Sequence, residues 1–170
     1  MRRIALSEIS KTFDPLGLFA PVLLTGKILL QEFWKEGKDW DDLTYDEINQ
    51  KFCRYVENTK ALCNIRIPRP ICEGELMSIF AFGDASGKAY CAAIYTRYLK
   101  ADGSYSCRLI CSKTRVAPMK EVTIPKLELQ AAKLVADLAN RVCADLAISK
   151  KKNHRVLRFD YGFMLVIKTL

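Results

Sequence analysis

The hydrophobic positions in the first part of the chain recur with helical spacing. Residues 2–12, 19–35 and 44–62 each place apolar side chains three or four positions apart, which predicts three amphipathic helices. Thr44 and Glu47 have the spacing of a capping box, so the third helix is expected to begin beside them.

The pattern changes after two prolines. Pro68 and Pro70 cannot continue a helix, and the segments that follow alternate as strands do. We therefore predict a small helical segment at residues 1–72 and a second domain at residues 73–170.

The second domain opens with three predicted strands. Leu76–Asp84, Tyr90–Leu99 and Tyr105–Ser112 are rich in aromatic and β-branched residues. The polar segment Ala101–Ser104 is typical of a hairpin loop, so the second and third strands should be antiparallel neighbours.

A long helix is predicted next. Thr123 is suited to cap it, and Pro125 falls in its first turn, where a missing N–H costs little. Its apolar residues form one stripe: Leu127, Ala131, Leu134, Val135, Leu138, Val142 and Leu146. A fourth short strand is predicted at Val156–Asp160, and Phe163–Leu170 is expected to begin a further helix.

Composition limits the classes of function. Half of the 170 residues are hydrophobic, enough for a sizeable core, and the formal net charge is +8. A basic surface favours polyanions such as nucleic acid, or an anionic membrane, although many basic proteins bind neither. No signal peptide or transmembrane segment is apparent, and the seven cysteines show no zinc-knuckle spacing. We therefore expect an intracellular protein, cytoplasmic or nuclear, with buried free thiols.

Three acidic residues are candidates for chemistry, and each has a plainer explanation. Asp84 ends an apolar strand, where it either binds a metal or donor groups or simply starts a turn. Glu128 lies near the start of the long helix, where an acid is favourable at a surface as well as in a site. Asp160 follows the fourth strand and can also cap a helix.

The order of these acids is more specific than any one of them. An acid on the first strand, another on the following helix and a third on a later strand is the order in which ribonuclease H-like folds build a two-metal site. Several converging carboxylates are needed there because two divalent ions lie about 4 Å apart.

A basic run precedes the fourth strand. Lys150, Lys151, Lys152 and Arg155 form either a solvated loop or a contact to a phosphate backbone, which requires charge rather than base readout. The single histidine, His154, lies in this polar stretch and is expected to be incidental.

Several separate blocks resemble the polyprotein of Bel/Pao-type LTR retrotransposons. The resemblance covers roughly residues 2 to 165. The matching blocks are Phe13-Asp14-Pro15-Leu16-Gly17-Leu18, Pro21-Val22-Leu23-Leu24, Gly26–Glu32, Asp39-Trp40-Asp41-Asp42, Phe82-Gly83-Asp84-Ala85-Ser86, Ser112–Pro118 and Thr123–Leu129.

This resemblance implies the end of a reverse transcriptase, its thumb or connection, followed by a ribonuclease H-like domain. The implied fold is α/β (α+β): a ribonuclease H-like mixed sheet with flanking helices, preceded by a small helical segment. The implied activity is cleavage of the RNA strand of an RNA–DNA hybrid, with two Mg²⁺ ions held by Asp84, Glu128 and Asp160. The partners would be the hybrid and the rest of a retroelement polyprotein, with no membrane.

The expected contacts to nucleic acid are basic side chains: Lys113, Arg115, Lys150, Lys151, Lys152 and Arg155. Two departures from the family pattern keep a second hypothesis open. The third acid usually stands in an Asp-Ser pair, whereas here Tyr161 follows Asp160, and the fold's further helix and fourth acid would lie beyond Leu170. The alternative is a catalytically incomplete nucleic-acid-binding remnant. No Asp-Thr-Gly or Asp-Ser-Gly motif occurs, so peptidase activity is not expected.

Overall fold

The computed structural model describes residues 2–37, 39–41, 46–67 and 74–147, and the backbone of residues 154–159 and 162–168. Contacts divide the chain into two units. The helical unit comprises Met1–Pro15 and Phe19–Pro68, and the sheet unit comprises Leu16–Leu18 and Arg69–Leu170. The assignment of the first part to a reverse-transcriptase thumb or connection stays a prediction.

The helical unit contains three α-helices, α1 (Arg2–Ser10), α2 (Ala20–Lys35) and α3 (Asp46–Lys60), and a short 3₁₀ turn at Ala61–Asn64. Their apolar stripes meet in one core of six buried side chains: Ala5, Ile9, Leu29, Phe33, Phe52 and Tyr55. A glycine allows the close approach of α2 to α3, because a Cβ at Gly26 would lie 2.6 Å from the Tyr55 ring.

The sheet unit contains β1 (Glu75–Ala85), β2 (Ala89–Leu99), β3 (Tyr105–Val116), α4 (Ile124–Asp145), β4 (His154–Phe159) and β5 (Gly162–Lys168). The strand order is β3-β2-β1-β5-β4. Each of the four described pairings is antiparallel.

The core of this unit lies between one face of the sheet and α4. Alternate residues of the strands point to opposite faces, so Ile79, Ala81, Ala92 and Ile94 are buried on the helix side. From α4, four buried side chains meet them: Val135, Ala139, Val142 and Cys143. Phe82 and Tyr95 lie on the other face, where their rings pack edge to face with centroids 5.8 Å apart.

The outer edge of β3 is partly covered by residues Leu16–Leu18. The Ser112 N–H donates a hydrogen bond of 2.8 Å to the Leu16 carbonyl, and the Ser112 hydroxyl donates to the Gly17 carbonyl. Gly17 has φ +70°, and a Cβ there would lie 2.0 Å from the Ser112 carbonyl oxygen, so only glycine fits.

The predicted α/β class, with a ribonuclease H-like sheet, flanking helix and preceding helical segment, is confirmed. Two details differ. A mixed sheet was expected, but the described strand pairs are all antiparallel. The second neighbour of β1, on the side away from β2, is β5, and it runs antiparallel to β1. The prediction that a helix begins at Phe163 is wrong, because Gly162–Lys168 forms strand β5 and pairs with β1. A short apolar run is compatible with a helix or a strand. Here it forms a strand because the edge of β1 that is not paired with β2 offers backbone hydrogen-bond partners.

None of the described helices is both long enough and apolar enough to span a membrane. The six cysteines in the described part of the chain are free. Burial was expected for them, but Cys53, Cys63 and Cys107 are exposed and Cys91 is half-buried, whereas Cys111 and Cys143 are buried.

Candidate functional site

One end of the sheet gathers the stretches that carry the predicted acids. β1 and β3 finish at this end and β2 begins there, since Asp84 is in register with Cys91 and Tyr90 with Arg115. α4 starts at the same end, eight residues after the last residue of β3, Val116. We call this end the acidic end of the sheet unit.

Asp84 is the penultimate residue of β1 and is exposed. Its Oδ1 accepts a hydrogen bond of 2.8 Å from the N–H of Ala85, the next residue. It forms no salt bridge with any described residue. Side chains alternate between the two faces of a strand, so Asp84 lies on the face of the sheet opposite α4. It can approach a group on the α4 side only because it lies near the end of β1, where the chain no longer separates the two faces.

The register partner of Asp84 is a half-buried thiol. Burial raises the pKa of Cys91 above its ordinary value; a hydrogen bond to the Asp84 backbone opposes this shift, and the negative charge of Asp84 adds to it.

Glu128 lies in the second turn of α4 and is half-buried. Two buried side chains stand on either side of it in the sequence: Leu127 is 1% exposed and Ala131 is fully buried. The Thr123 carbonyl accepts hydrogen bonds from the N–H groups of Lys126 and Leu127 at 3.1 and 3.2 Å, so the helix begins where the sequence predicts.

The side of α4 on which Glu128 lies follows from helical geometry. Gln130, Lys133, Leu134 and Asp137 line a groove with Tyr90 of β2 and Arg115 of β3. At 100° per residue, these positions lie about 120–180° around the helix axis from Glu128. On the same scale Val135 and Ala139 lie about 20° on either side of Glu128, so Glu128 is in line with the buried stripe that faces the sheet.

Asp160 lies outside the described residues. Its described neighbours are Phe159 and Gly162, which pair with each other where β4 ends and β5 begins. The next residue of β5, Phe163, is in register with Gly83, the residue before Asp84. The two strands that flank Asp160 in the sequence thus reach the acidic end beside β1.

The described residues alone do not assemble a metal site. Within the part of the chain that the structure describes, no group of three His, Cys, Asp or Glu side chains is placed to hold a metal ion. Two of the three candidate acids, Asp84 and Glu128, lie among the described residues. Their carboxylate oxygens are the type of ligand that Mg²⁺ prefers.

The predicted basic contacts are only partly described. Lys113 and Arg115 lie on β3, the first half-buried and the second exposed. Arg155 lies on β4, where the backbone alone is described. The run Lys150, Lys151 and Lys152 falls outside the described residues.

The groove beside α4 was not predicted from the sequence. Of its six lining residues only Arg115 was a candidate, although Gln130, Lys133 and Asp137 have the spacing of one helix face. The spacing of these three residues could have predicted a polar side of α4. It could not have predicted that Tyr90 of β2 and Arg115 of β3 lie across from that side.

Comparison with known proteins gave one finding. A protein-family model described as Pao retrotransposon-like RNaseH-like domain matches residues 1–156. The match includes Asp84 and Glu128 and ends before Asp160. Searches of the curated proteins and of the solved structures gave no significant match. Since the matched region takes in most of the 170 residues, the chain belongs to the Pao retrotransposon-like RNaseH-like domain family.

Proposed function

We propose that this domain hydrolyses the RNA strand of RNA–DNA hybrids, as part of a retroelement polyprotein, with divalent metal ions as cofactor. Two described features at the acidic end support the proposal: Asp84 is the penultimate residue of β1, and Phe159 and Gly162, the described neighbours of Asp160, pair where β5 reaches β1. The remaining proposed ligand, Glu128, is half-buried in the second turn of α4.

The residues fit a site for Mg²⁺ in their chemistry. The Asp84 carboxylate is exposed and engaged only by the adjacent N–H of Ala85 among the described groups, so its second oxygen is accessible to a cation. Glu128 is held by the buried first turns of α4, which limits its motion. When bound, a pair of Mg²⁺ ions would supply an activated water and stabilise the leaving oxygen. Asp84, Glu128 and Asp160 are the proposed ligands.

Recognition of the hybrid would depend on shape and charge rather than base sequence. Contacts to the phosphate backbone and the 2′-hydroxyl distinguish such a duplex from DNA. Among the residues whose side chains the structure describes, we propose Lys113 and Arg115 of β3 as contacts to the phosphate backbone. Lys150–Lys152 and Arg155 are further candidates from the sequence.

A second candidate function is nucleic-acid binding without cleavage. It is favoured by two observations: Tyr161 follows Asp160 where the family pattern usually has a serine, and the family match ends before Asp160. A domain that retains the basic surface but lacks a complete ligand set would bind the hybrid and leave it intact.

Cleavage of a labelled RNA–DNA hybrid in Mg²⁺ separates the two functions. Asp84→Asn and Glu128→Gln should each abolish cleavage while hybrid binding persists. The matched control is Asp145→Asn, which removes an exposed carboxylate at the other end of α4 and should cut at the wild-type rate.

Each outcome decides between the proposals. Binding without cleavage by the wild-type chain would support the second function. Cleavage that persists unchanged in both Asp84→Asn and Glu128→Gln would overturn the assignment of these acids.

A further inference from the structure

A groove of about 400 Å³ runs between α4 and the strands β2 and β3. Its lining consists of Tyr90, Arg115, Gln130, Lys133, Leu134 and Asp137. The groove lies near the acidic end of the sheet unit, because Tyr90 and Arg115 are in register where β2 begins and β3 finishes. It lies on the flank of α4 that faces away from Glu128.

The two cations of the groove have no charged partner among the described residues. Neither Arg115 nor Lys133 lies within 4.0 Å of a described carboxylate, although Asp137 lines the same groove. By contrast, Lys51 in the helical unit is paired with two glutamates. A positive field that the protein does not neutralise attracts an anion from solution.

We propose that this groove binds the phosphate backbone of a nucleic acid. Arg115 and Lys133 supply the charge, and Gln130 and the Tyr90 hydroxyl supply further hydrogen-bond donors. Side chains of these four types commonly contact phosphate oxygens. Leu134 offers an apolar surface for a sugar, and the open form of the groove suits a continuous chain rather than an enclosed small ligand.

The identity of the bound polymer as a hybrid depends on the function proposed above. The groove and Glu128 lie on opposite flanks of one helix, which is about 10–12 Å wide with its side chains. A backbone held in the groove would therefore pass within a few nucleotides of the acidic end. The groove would position the substrate, while the acids would act on it.

The direct test is the salt dependence of binding to a fluorescent RNA–DNA hybrid, measured by anisotropy. Arg115→Gln and Lys133→Gln should each weaken binding about five- to tenfold at 0.1 M salt and lower the slope of log affinity against log salt by about 1. Asp137→Asn removes the one negative charge of the groove and should tighten binding about two- to fivefold, since phosphate is no longer repelled.

The matched control is Lys27→Gln, which removes one exposed positive charge from α2 in the helical unit. It should change affinity by less than about twofold, because Lys27 is not among the residues that line the groove. Thermal unfolding of each variant shows whether the fold is retained, as expected for substitutions at exposed side chains.

Failure of this proposal and failure of the proposed cleavage are distinguishable. If Arg115→Gln and Lys133→Gln bind like wild type, or lose no more than Lys27→Gln, the groove proposal is overturned whether or not the chain cleaves RNA. If they lose affinity while wild type does not cleave, the groove stands and the nuclease proposal fails. A wild-type chain that binds no hybrid would overturn both.

Discussion

The sharpest stability prediction compares two leucines of α4 that differ in burial. Leu127 is 1% exposed, whereas Leu129, two residues later, is 71% exposed. Replacing a fully buried leucine with alanine removes its transfer free energy and leaves a cavity, so Leu127→Ala should lower the free energy of unfolding by about 3 kcal/mol. Leu129→Ala should change it by less than about 0.5 kcal/mol.

The consequence of Leu127→Ala extends to the proposed site. Leu127 anchors the turn that carries Glu128, so its loss should also weaken hybrid cleavage or binding more than the loss of Leu129 does. Native-state hydrogen exchange, resolved by peptide, measures the sheet unit by itself. Amides of α4 and β1 should exchange roughly 100-fold faster in Leu127→Ala, as a change of about 3 kcal/mol requires.

Equal losses in the two leucine variants would refute the packing of α4 described above. A larger loss in Leu129→Ala would mean that the helix is rotated about its axis. Glu128 would then no longer lie in line with the buried stripe, and its proposed role as a metal ligand would fail.

Two further predictions concern backbone geometry and pH. Gly17→Ala should expose the Ser112 N–H to hydrogen exchange, because the new Cβ would lie 2.0 Å from the Ser112 carbonyl oxygen. The control is Gly37→Ala, since Gly37 has nearly the same φ, +69°, and no described atom lies within 4 Å of its Cβ. Gly37→Ala should lower the free energy of unfolding only by the backbone cost of about 1–2 kcal/mol. Equal effects would contradict the edge contact. The Arg3 guanidinium, which donates hydrogen bonds of 3.1 and 3.2 Å to Asp41, holds the pKa of that carboxyl below its usual range. The pair's stabilisation is therefore complete above the unfolded pKa of about 3.9 and is lost as pH falls through the lower folded pKa. In an NMR titration, Arg3→Gln should raise the pKa of Asp41; a pKa that stays low would contradict the pairing.

The helices and the first three strands could be predicted from the sequence because each has a clear period. The stripe of α4 is an example: Leu127, Ala131 and Val135 recur at helical spacing, and all three are buried. The strand β5 could not be predicted, since a short apolar run takes its structure from the partner it meets. The free edge of β1 provides that partner only after the fold has formed.

The candidate site was predictable in its residue types but not in its geometry. The order of Asp84, Glu128 and Asp160 along the chain indicated the kind of site. The face on which Asp84 lies depends on the register of β1 with β2, which no local pattern specifies. The groove beside α4 needs both Arg115 and Lys133, which are distant in sequence and meet only through the packing of the helix on the sheet.

We propose that three carboxylates from separate stretches meet at one end of the sheet and hold a cation. Mn²⁺ titration followed by NMR tests this proposal without requiring catalysis, because a bound paramagnetic ion broadens the amide signals near it. We expect the amides at residues 83–85, 127–129 and 159–162 to broaden together at low Mn²⁺, and Asp84→Asn to abolish the effect in all three stretches. Broadening confined to one stretch, or unchanged in Asp84→Asn, would contradict it.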